Sequence, residues 1–414
     1  IDLFKRHESL STCFEWSESG LHQIVLEVPD KVIDMVDLSG YAEPEKSLLV
    51  STQASAHSAY LFDLSRDRMM QVQLVRVSDD KHVLLVVMHH IASDGWSIGI
   101  LMHELSQLYS HYAVGAELAL ASLQVQYVDY AAWQRGWLQG AVLDEQLSYW
   151  QHQLSDLPIV HGLTLDYPRP PVQSFSGATY SISLPKIITD QLRLLCKTHE
   201  ATLFMGLHAA FSVFLSRYSG EMDIVVGSPI ANREQEEVAN LIGFFVNTLV
   251  LRLQLENDSS FSALIKQSKD VALGAYAHQQ VPFEQIVEIL QPQRNLSHSP
   301  LFQIMLVLQN NKTEDLRLPN LTITPLEQTY QVAKFDLTLS VTEHVDGLWL
   351  SWEYNTDLFK SETVRRMAIH FEQLLMSLVN APDASVFGMN MLEMSEREQL
   401  LVEWNATQAE YPQD

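Results

Sequence analysis

The chain has 414 residues, 47% of them hydrophobic, with 51 acidic against 26 basic side chains and a formal charge of −25. That length is enough for two lobes, no run of about 18 apolar residues is available to span a membrane, and the acidity argues against nucleic acid, which needs a basic face. Substrates that are neutral, or cationic at an amine, suit such a chain better. Two distant cysteines, Cys13 and Cys196, exclude a disulfide framework and point to structural thiols in a reduced, cytoplasmic protein.

In chain order, IDLFKRHESL lacks the basic region and apolar core of a signal peptide; it reads as a helix over 1–8 entered part-way, as in a piece of a longer chain. Tyr60–Leu64 and Met70–Val77 are expected strands, the second with its alternation slipping at Val75 and Val77 as at a bulge. Val83–Met88 is all apolar, as in a strand covered on both faces. After Gly95 the apolar residues Ile98, Leu101, Met102, Leu105, Leu108, Tyr109 and Tyr112 fall at helical spacing. One helix is expected from Tyr127 to about Leu154.

Pro158, Pro168, Pro170 and Pro171 break the pattern, and the lobe boundary is placed in this region: 1–165 as a first lobe, 166–382 as a second, 383–414 as a connector. The second half predicts helices over 187–199, over 202–218 (capped by Thr202 and ended by Gly220), over 261–278 and over 361–379. Strands are expected in SISLP, EMDIVVGSPI, NTLVLRLQL, FQIMLVLQN, KFDLTLSVTE and GLWLSWEYN. No short-period repeat or low-complexity tract appears.

The stretch VVMHHIASDGWS, Val86–Ser97, carries the chemistry. His90 sits where a buried strand gives way to a helix, where ligands approach α/β sheets. Gly95 lets backbone come close to a ligand, and free N–H groups at the helix start can face a developing oxyanion. His89 and Asp94 complete a set that suggests a metal, but neighbours on a strand point to opposite faces, so the two histidines do not readily share one. Spacing alone settles little. HQLSD repeats it with His152 and Asp156, an ordinary pair at a helix end, and two satisfied structural histidines remain the plain alternative.

The wider set of motifs resembles the condensation domain of nonribosomal peptide synthetases, within the chloramphenicol-acetyltransferase-like superfamily. His89, His90, Asp94 and Gly95 match HHxxxDG, followed by GWS. RHESLSTCF, YVDYAAWQ, GSPIANRE, IGFFVNTLVLR, HQQVPFEQIVE, RNLSHSPLFQIM, KFDLTL and YNTDLF follow in the family's order. Two departures stand out: Ser11 where the first block usually has a second arginine, and no opening block, as if the first lobe were truncated at its start.

The resemblance implies an α/β fold of two chloramphenicol-acetyltransferase-like lobes in a V with a tunnel between them. Donor and acceptor carrier proteins would dock at its two ends, each presenting a thioester on phosphopantetheine. No resident cofactor or metal is expected. An acceptor amine would attack the donor thioester, with His90 taking its proton or positioning it; an unperturbed imidazole, with pKa of about 6.5, suits both. Gly95 N–H is then a candidate oxyanion donor. Asp94 is read as loop support bonded to an arginine, Arg6 preferred over Arg233, with a triad role toward His90 as the alternative. Trp96, Ser97 and Asn247 are assigned to the tunnel wall, with packing and helix-start roles open for the first two and a structural role for the third. The blocks look most like the type joining two L-residues, and LLVEWNATQAEYP like the linker to an adenylation domain. Epimerising relatives, free-standing acyltransferases and silent docking domains are the other readings.

Overall fold

The computed structural model describes residues 1–293, 295–309, 316, 318–326 and 332–407. The chain gathers into two units. One holds Ile1–Val142, Ala231–Val246 and the described part of 311–330; the other holds Leu143–Ile230 and the described parts of 247–310 and 331–414. This division does not follow the prolines. Residues 143–165 group with the second unit, where fully buried Trp150 donates to the His278 carbonyl at 2.9 Å. Residues 231–246 return to the first.

In the first unit, α1 (Asp2–Arg6) and a 3₁₀ turn (Glu8–Ser11) lead into an antiparallel hairpin, β1 (Thr12–Ser17) and β2 (Gly20–Val25). Then come β3 (Ile33–Asp37), α2 (Glu45–Ser58), β4 (Met70–Arg76), β5 (His82–Met88), α3 (Gly95–Val114) and α4 (Tyr127–Trp137). Strand order is β3-β4-β5, the first pair parallel and the second antiparallel. α2 buries no residue, so it has no apolar stripe to reveal it in the sequence. Residues 60–64 form no strand: the Asp67 carboxylate takes the Tyr60 hydroxyl and the Asp63 N–H, each at 2.9 Å, holding them as a loop.

The expected bulge is replaced by a regular ladder from Met70↔Met88 to Arg76↔His82; Val77 lies beyond it, in a turn that donates to the Lys81 carbonyl. β5 is not covered on both faces. Leu84 and Val86 stand across from Leu74 and Val72, whose other partners are Met35 and Ile33, and Leu84 and Met35 remain 42% and 56% exposed. At one end of this sheet, Phe4, Leu10, Met70, Leu101 and Ile242 form a buried cluster.

The second unit starts with α5 (Gly140–Gln153), separated from α4 where Gly140 adopts a φ of 53°, open to glycine at no cost. It continues with β6 (Gly177–Pro185), α6 (Lys186–Thr198), α7 (Leu203–Ser219), β7 (Asp223–Ile230), β8 (Asn247–Gln254), α8 (Phe261–Ala277) and α9 (Phe283–Leu290). It closes with β9 (Ile304–Gln309), β10 (Leu337–His344), β11 (Gly347–Asn355), α10 (Ser361–Asn380) and α11 (Met394–Glu398). The six strands lie in the order β6-β11-β10-β9-β7-β8. α7 is buried from Met205 to Ser216, with Thr202 and Gly220 capping it as expected. Around it Trp352 and Phe371 meet Phe211, Phe214 and each other edge to face at 5.5–5.9 Å. Arg294, Asn310 and 408–414, parts of three expected segments, lie outside the described residues.

His208 on α7 is fully buried; Nδ1 meets Ser268 Oγ at 2.8 Å, while Nε2 has no partner among the described residues. Burial lowers its pKa to about 4. The unfolded chain therefore binds the proton first, and stability is full above about pH 6.5 and falls as the pH drops toward 4. Denaturant melts from pH 7 to pH 5 should show the second unit losing about 2 kcal/mol, a loss that His208→Leu should largely remove.

Candidate active site

β5 ends at Met88, so His89 and His90 stand past the strand, at the head of a 3₁₀ turn over His90–Ala92. The strand argument for their opposed directions therefore does not apply; the turn separates them instead. The His89 ring meets Phe62 edge to face at 5.6 Å, and the His90 ring meets Phe244 likewise at 5.4 Å.

Their hydrogen bonds set opposite tautomers. His89 Nδ1 accepts from Ile91 N–H at 3.0 Å, capping the turn, so in the neutral ring the proton sits on Nε2. Burial, and then the neighbouring His90, push its pKa down. His90 Nδ1 lies 2.6 Å from the Ser93 carbonyl, which can only accept. That nitrogen must carry the proton, leaving the Nε2 lone pair on an exposed imidazole free to take one. The triad alternative is not realised, because the partner of His90 Nδ1 is Ser93 and not Asp94.

Asp94 is buried at 4% exposure and caps α3. Its carboxylate accepts from Ser97 N–H (2.8 Å), Phe245 N–H (3.0 Å) and Arg233 (3.1 and 3.3 Å). Arg233 also donates to the carbonyls of Val238 and Leu241 at 2.8 and 2.7 Å and lies 4.0 Å over the Phe245 ring. Burial draws its pKa down while Asp94 draws it back up. The preferred partner, Arg6, is engaged elsewhere: it meets Glu104 at 2.8 Å, as does His7 Nε2. Burial acts to raise the Glu104 pKa, but His7 and Arg6 together hold it below the usual carboxylate range. Ser11 is fully buried, and the Arg6–Glu104 pair forms without a second arginine there.

The remaining residues divide. Gly95 is exposed and opens α3, so its N–H has no intrahelical acceptor. Trp96 is 40% exposed, with Nε1 donating to the Ala239 carbonyl at 2.9 Å. Ser97 is completely buried; its Oγ lies 2.8 Å from Asp94 Oδ1 and 2.9 Å from the Gly243 carbonyl and accepts from Gly243 N–H. It faces the interior of its own unit rather than a tunnel. In the second unit, both ends of the buried Asn247 amide are used, Nδ2 on the Gln279 and Val281 carbonyls and Oδ1 on Phe283 N–H, so it fastens the lead into α9. His89, His90, Asp94, Gly95, Trp96, Ser97 and Arg233 are brought together; Arg6 serves the neighbouring Glu104 cluster, and Asn247 belongs to the other unit.

The chain 242–245, which opens the IGFFVNTLVLR block, joins this group, although none of its four residues is among the expected site residues. Ile242 N–H donates to His7 Nδ1 (3.3 Å), the Ile242 carbonyl accepts from Ser9 (2.6 Å), and the Phe244 carbonyl accepts from Tyr127 (2.8 Å). Burial pushes the Tyr127 phenol up to about 12, which keeps it a donor. Within that block Gly243 is where space is tightest, since a Cβ there would lie 2.3 Å from the Tyr127 ring.

A family model described as Condensation domain matches residues 2–401. The chain belongs to the condensation-domain family. Condensation domains are acyltransferases that form amide bonds. This condensation domain is 42% identical over its whole length to part of a linear gramicidin synthase polypeptide of Brevibacillus parabrevis, of which it spans 5%, and 42% identical to part of a second such polypeptide, of which it spans 8%. It is 41% identical to part of malpibaldin synthetase of Mortierella alpina, covering 7% of that protein, and 40% to part of a plipastatin synthase polypeptide of Bacillus subtilis (strain 168), covering 11% of it.

Among solved structures, the X-domain from teicoplanin biosynthesis has a TM-score of 0.84 at 25% identity, over 94% of this chain and 88% of that one. A four-domain nonribosomal peptide synthetase bound to AMP and glycine has a TM-score of 0.81 at 25% identity, covering 96% of this chain and 31% of that one. The mixed α/β fold of two sheet-bearing units is thus that of condensation domains. Among the described residues no three His, Cys, Asp or Glu side chains gather as a metal set, and no helix is long and apolar enough to cross a membrane.

Proposed function

We propose that this condensation domain joins two substrates held as thioesters on the phosphopantetheine arms of a donor and an acceptor carrier protein. The acceptor amine attacks the donor carbonyl, the C–N bond forms, the C–S bond breaks, and the donor arm leaves as a thiol. Because the thioester is already activated, most of the acceleration comes from holding the two tethered ends together. The observation that carries the reading is the His90 imidazole, exposed and with Nδ1–H spent on Ser93. Its Nε2 is ready to accept from the amine and to take its proton as the bond forms. Gly95 N–H, at the opening of α3, is the proposed donor to the oxyanion. Asp94 and Arg233 hold that loop in shape.

We assign both substrates the L-configuration on the motifs from HHIASDGWS to SPIANRE, and read 383–414 as the lead into an adenylation domain of the same synthetase. Free, buried Cys13 and Cys196 suit a reducing cytoplasm. The test is mass spectrometry of products formed from a panel of loaded donor and acceptor carriers. Amide products restricted to particular pairs are expected; hydrolysis alone, or an inverted donor centre without a new amide, would defeat the reading.

A further inference from the structure

Among the described residues, the His90 ring is fastened by hydrogen bonding at one atom, Nδ1. The ring turns only about χ1 and χ2, and the single Nδ1–H bond to Ser93 holds those torsions within the latitude that one hydrogen bond allows, which a packing contact can narrow. Among the described residues, the ring contact that meets this latitude is Phe244, whose centroid lies 5.4 Å away at an interplanar angle of 78°. A phenyl group is useful there only if its own backbone cannot move, and that backbone is tied down to an unusual degree.

Residues 242–245 form no helix or strand, so they have no regular ladder to satisfy them. Side chains satisfy them instead: His7 and Ser9 on the two polar groups of Ile242, Ser97 on both of Gly243, Tyr127 on the Phe244 carbonyl and Asp94 on Phe245 N–H. The residues on either side, Gly243 and Phe245, are buried, yet Phe244 is 38% exposed. A large apolar side chain is thus held out toward solvent by a strap bonded to five side chains, the Ser97 hydroxyl proton being shared between Asp94 and the Gly243 carbonyl, beside the reactive imidazole.

We propose that Phe244 is a positioning residue for amide formation, setting the plane of the His90 imidazole so that Nε2 points where the acceptor amine arrives. The inference rests on the role proposed above for His90. It places the effect of Phe244 in the chemical step and not in carrier binding, because the phenyl group acts through the imidazole.

The test measures amide formation against acceptor-carrier concentration for wild type, Phe244→Ala, Phe244→Leu and His90→Ala. Phe244→Ala is expected to lower kcat about 10- to 100-fold, the scale of a misplaced catalytic group, with KM for the acceptor carrier and the melting temperature little changed. Phe244→Leu, which restores bulk, is expected to recover most of the loss. Wild-type kcat in Phe244→Ala, alongside a His90→Ala slowed by about 100-fold or more, would overturn this inference and leave the role of His90 standing. A raised KM at unchanged kcat, or a loss that tracks the melting temperature and is not rescued by leucine, would also overturn it. A His90→Ala that forms amide at the wild-type rate would remove the role of His90 itself.

Discussion

His90→Ala is expected to lower amide formation from two loaded carriers by about 10²- to 10⁴-fold, the range a positioned general base supplies. The fold should be little affected. The side chain is exposed and forms one local hydrogen bond, worth about 0.5–1.5 kcal/mol. The melting curve of the variant should therefore lie close to that of the wild type. Residual activity is expected as well, because the thioester stays activated and the carriers still bring it to the amine. His89→Ala makes the useful contrast. It removes a cap of the 3₁₀ turn and a contact with Phe62, so its damage should fall on stability as well as on rate. Product formation by His90→Ala at the wild-type rate would end the assignment.

Asp94→Asn is expected to cost about 3–5 kcal/mol, the usual result of removing one partner from a buried ion pair. Both side chains are 2% exposed, so water cannot take over from the lost charge. The asparagine can still accept from Ser97 N–H, but Arg233 is left with neutral acceptors, the Val238 and Leu241 carbonyls and Ser97 Oγ, in place of its carboxylate. Activity should fall with stability, since the same carboxylate holds the start of α3 and the backbone of Phe245. Arg233→Met should be damaging for the mirror reason. The double variant should lose less than the sum of the two, because neither charge is then stranded. Thermal and chemical melts of the three proteins check this. A fall in rate with no fall in melting temperature would overturn the loop-support role of Asp94.

Much of this was legible in the sequence where local pattern and tertiary demand agree. The second unit reads well because its strands are apolar and its helices carry strong stripes and caps, as with Thr202 and Gly220 around α7. The first unit reads less well. α2 buries nothing, and the residues at 60–64 obey Asp67 rather than their own strand propensity. Helix α9, led by Pro282, is short and has no side-chain cap to mark it within HQQVPFEQIVE. At the site, HHxxxDG pointed to the loop, but no local pattern could choose between Arg6 and Arg233 for Asp94. That choice depends on Glu104 having claimed Arg6, a fact of packing between residues 98 apart. Phe244 escaped for the same reason, since its importance lies in what surrounds its backbone.

The strap 242–245 also bears on how the protein comes into being. Asp94 precedes Arg233 by 139 residues, and His7 precedes Ile242 by 235. At about 5–20 residues per second, synthesis leaves the Asp94 carboxylate waiting on the order of ten seconds for its guanidinium. Until that segment arrives the first unit has a sheet and helices but an unsettled loop around His90, so catalytic competence is among the last properties the nascent chain acquires. The same reasoning applies to recombined synthetases. A graft that cuts near residue 165 takes the histidine loop from one parent and its strap from the other, and must match Asp94, Ser97 and Tyr127 to a foreign 233–245.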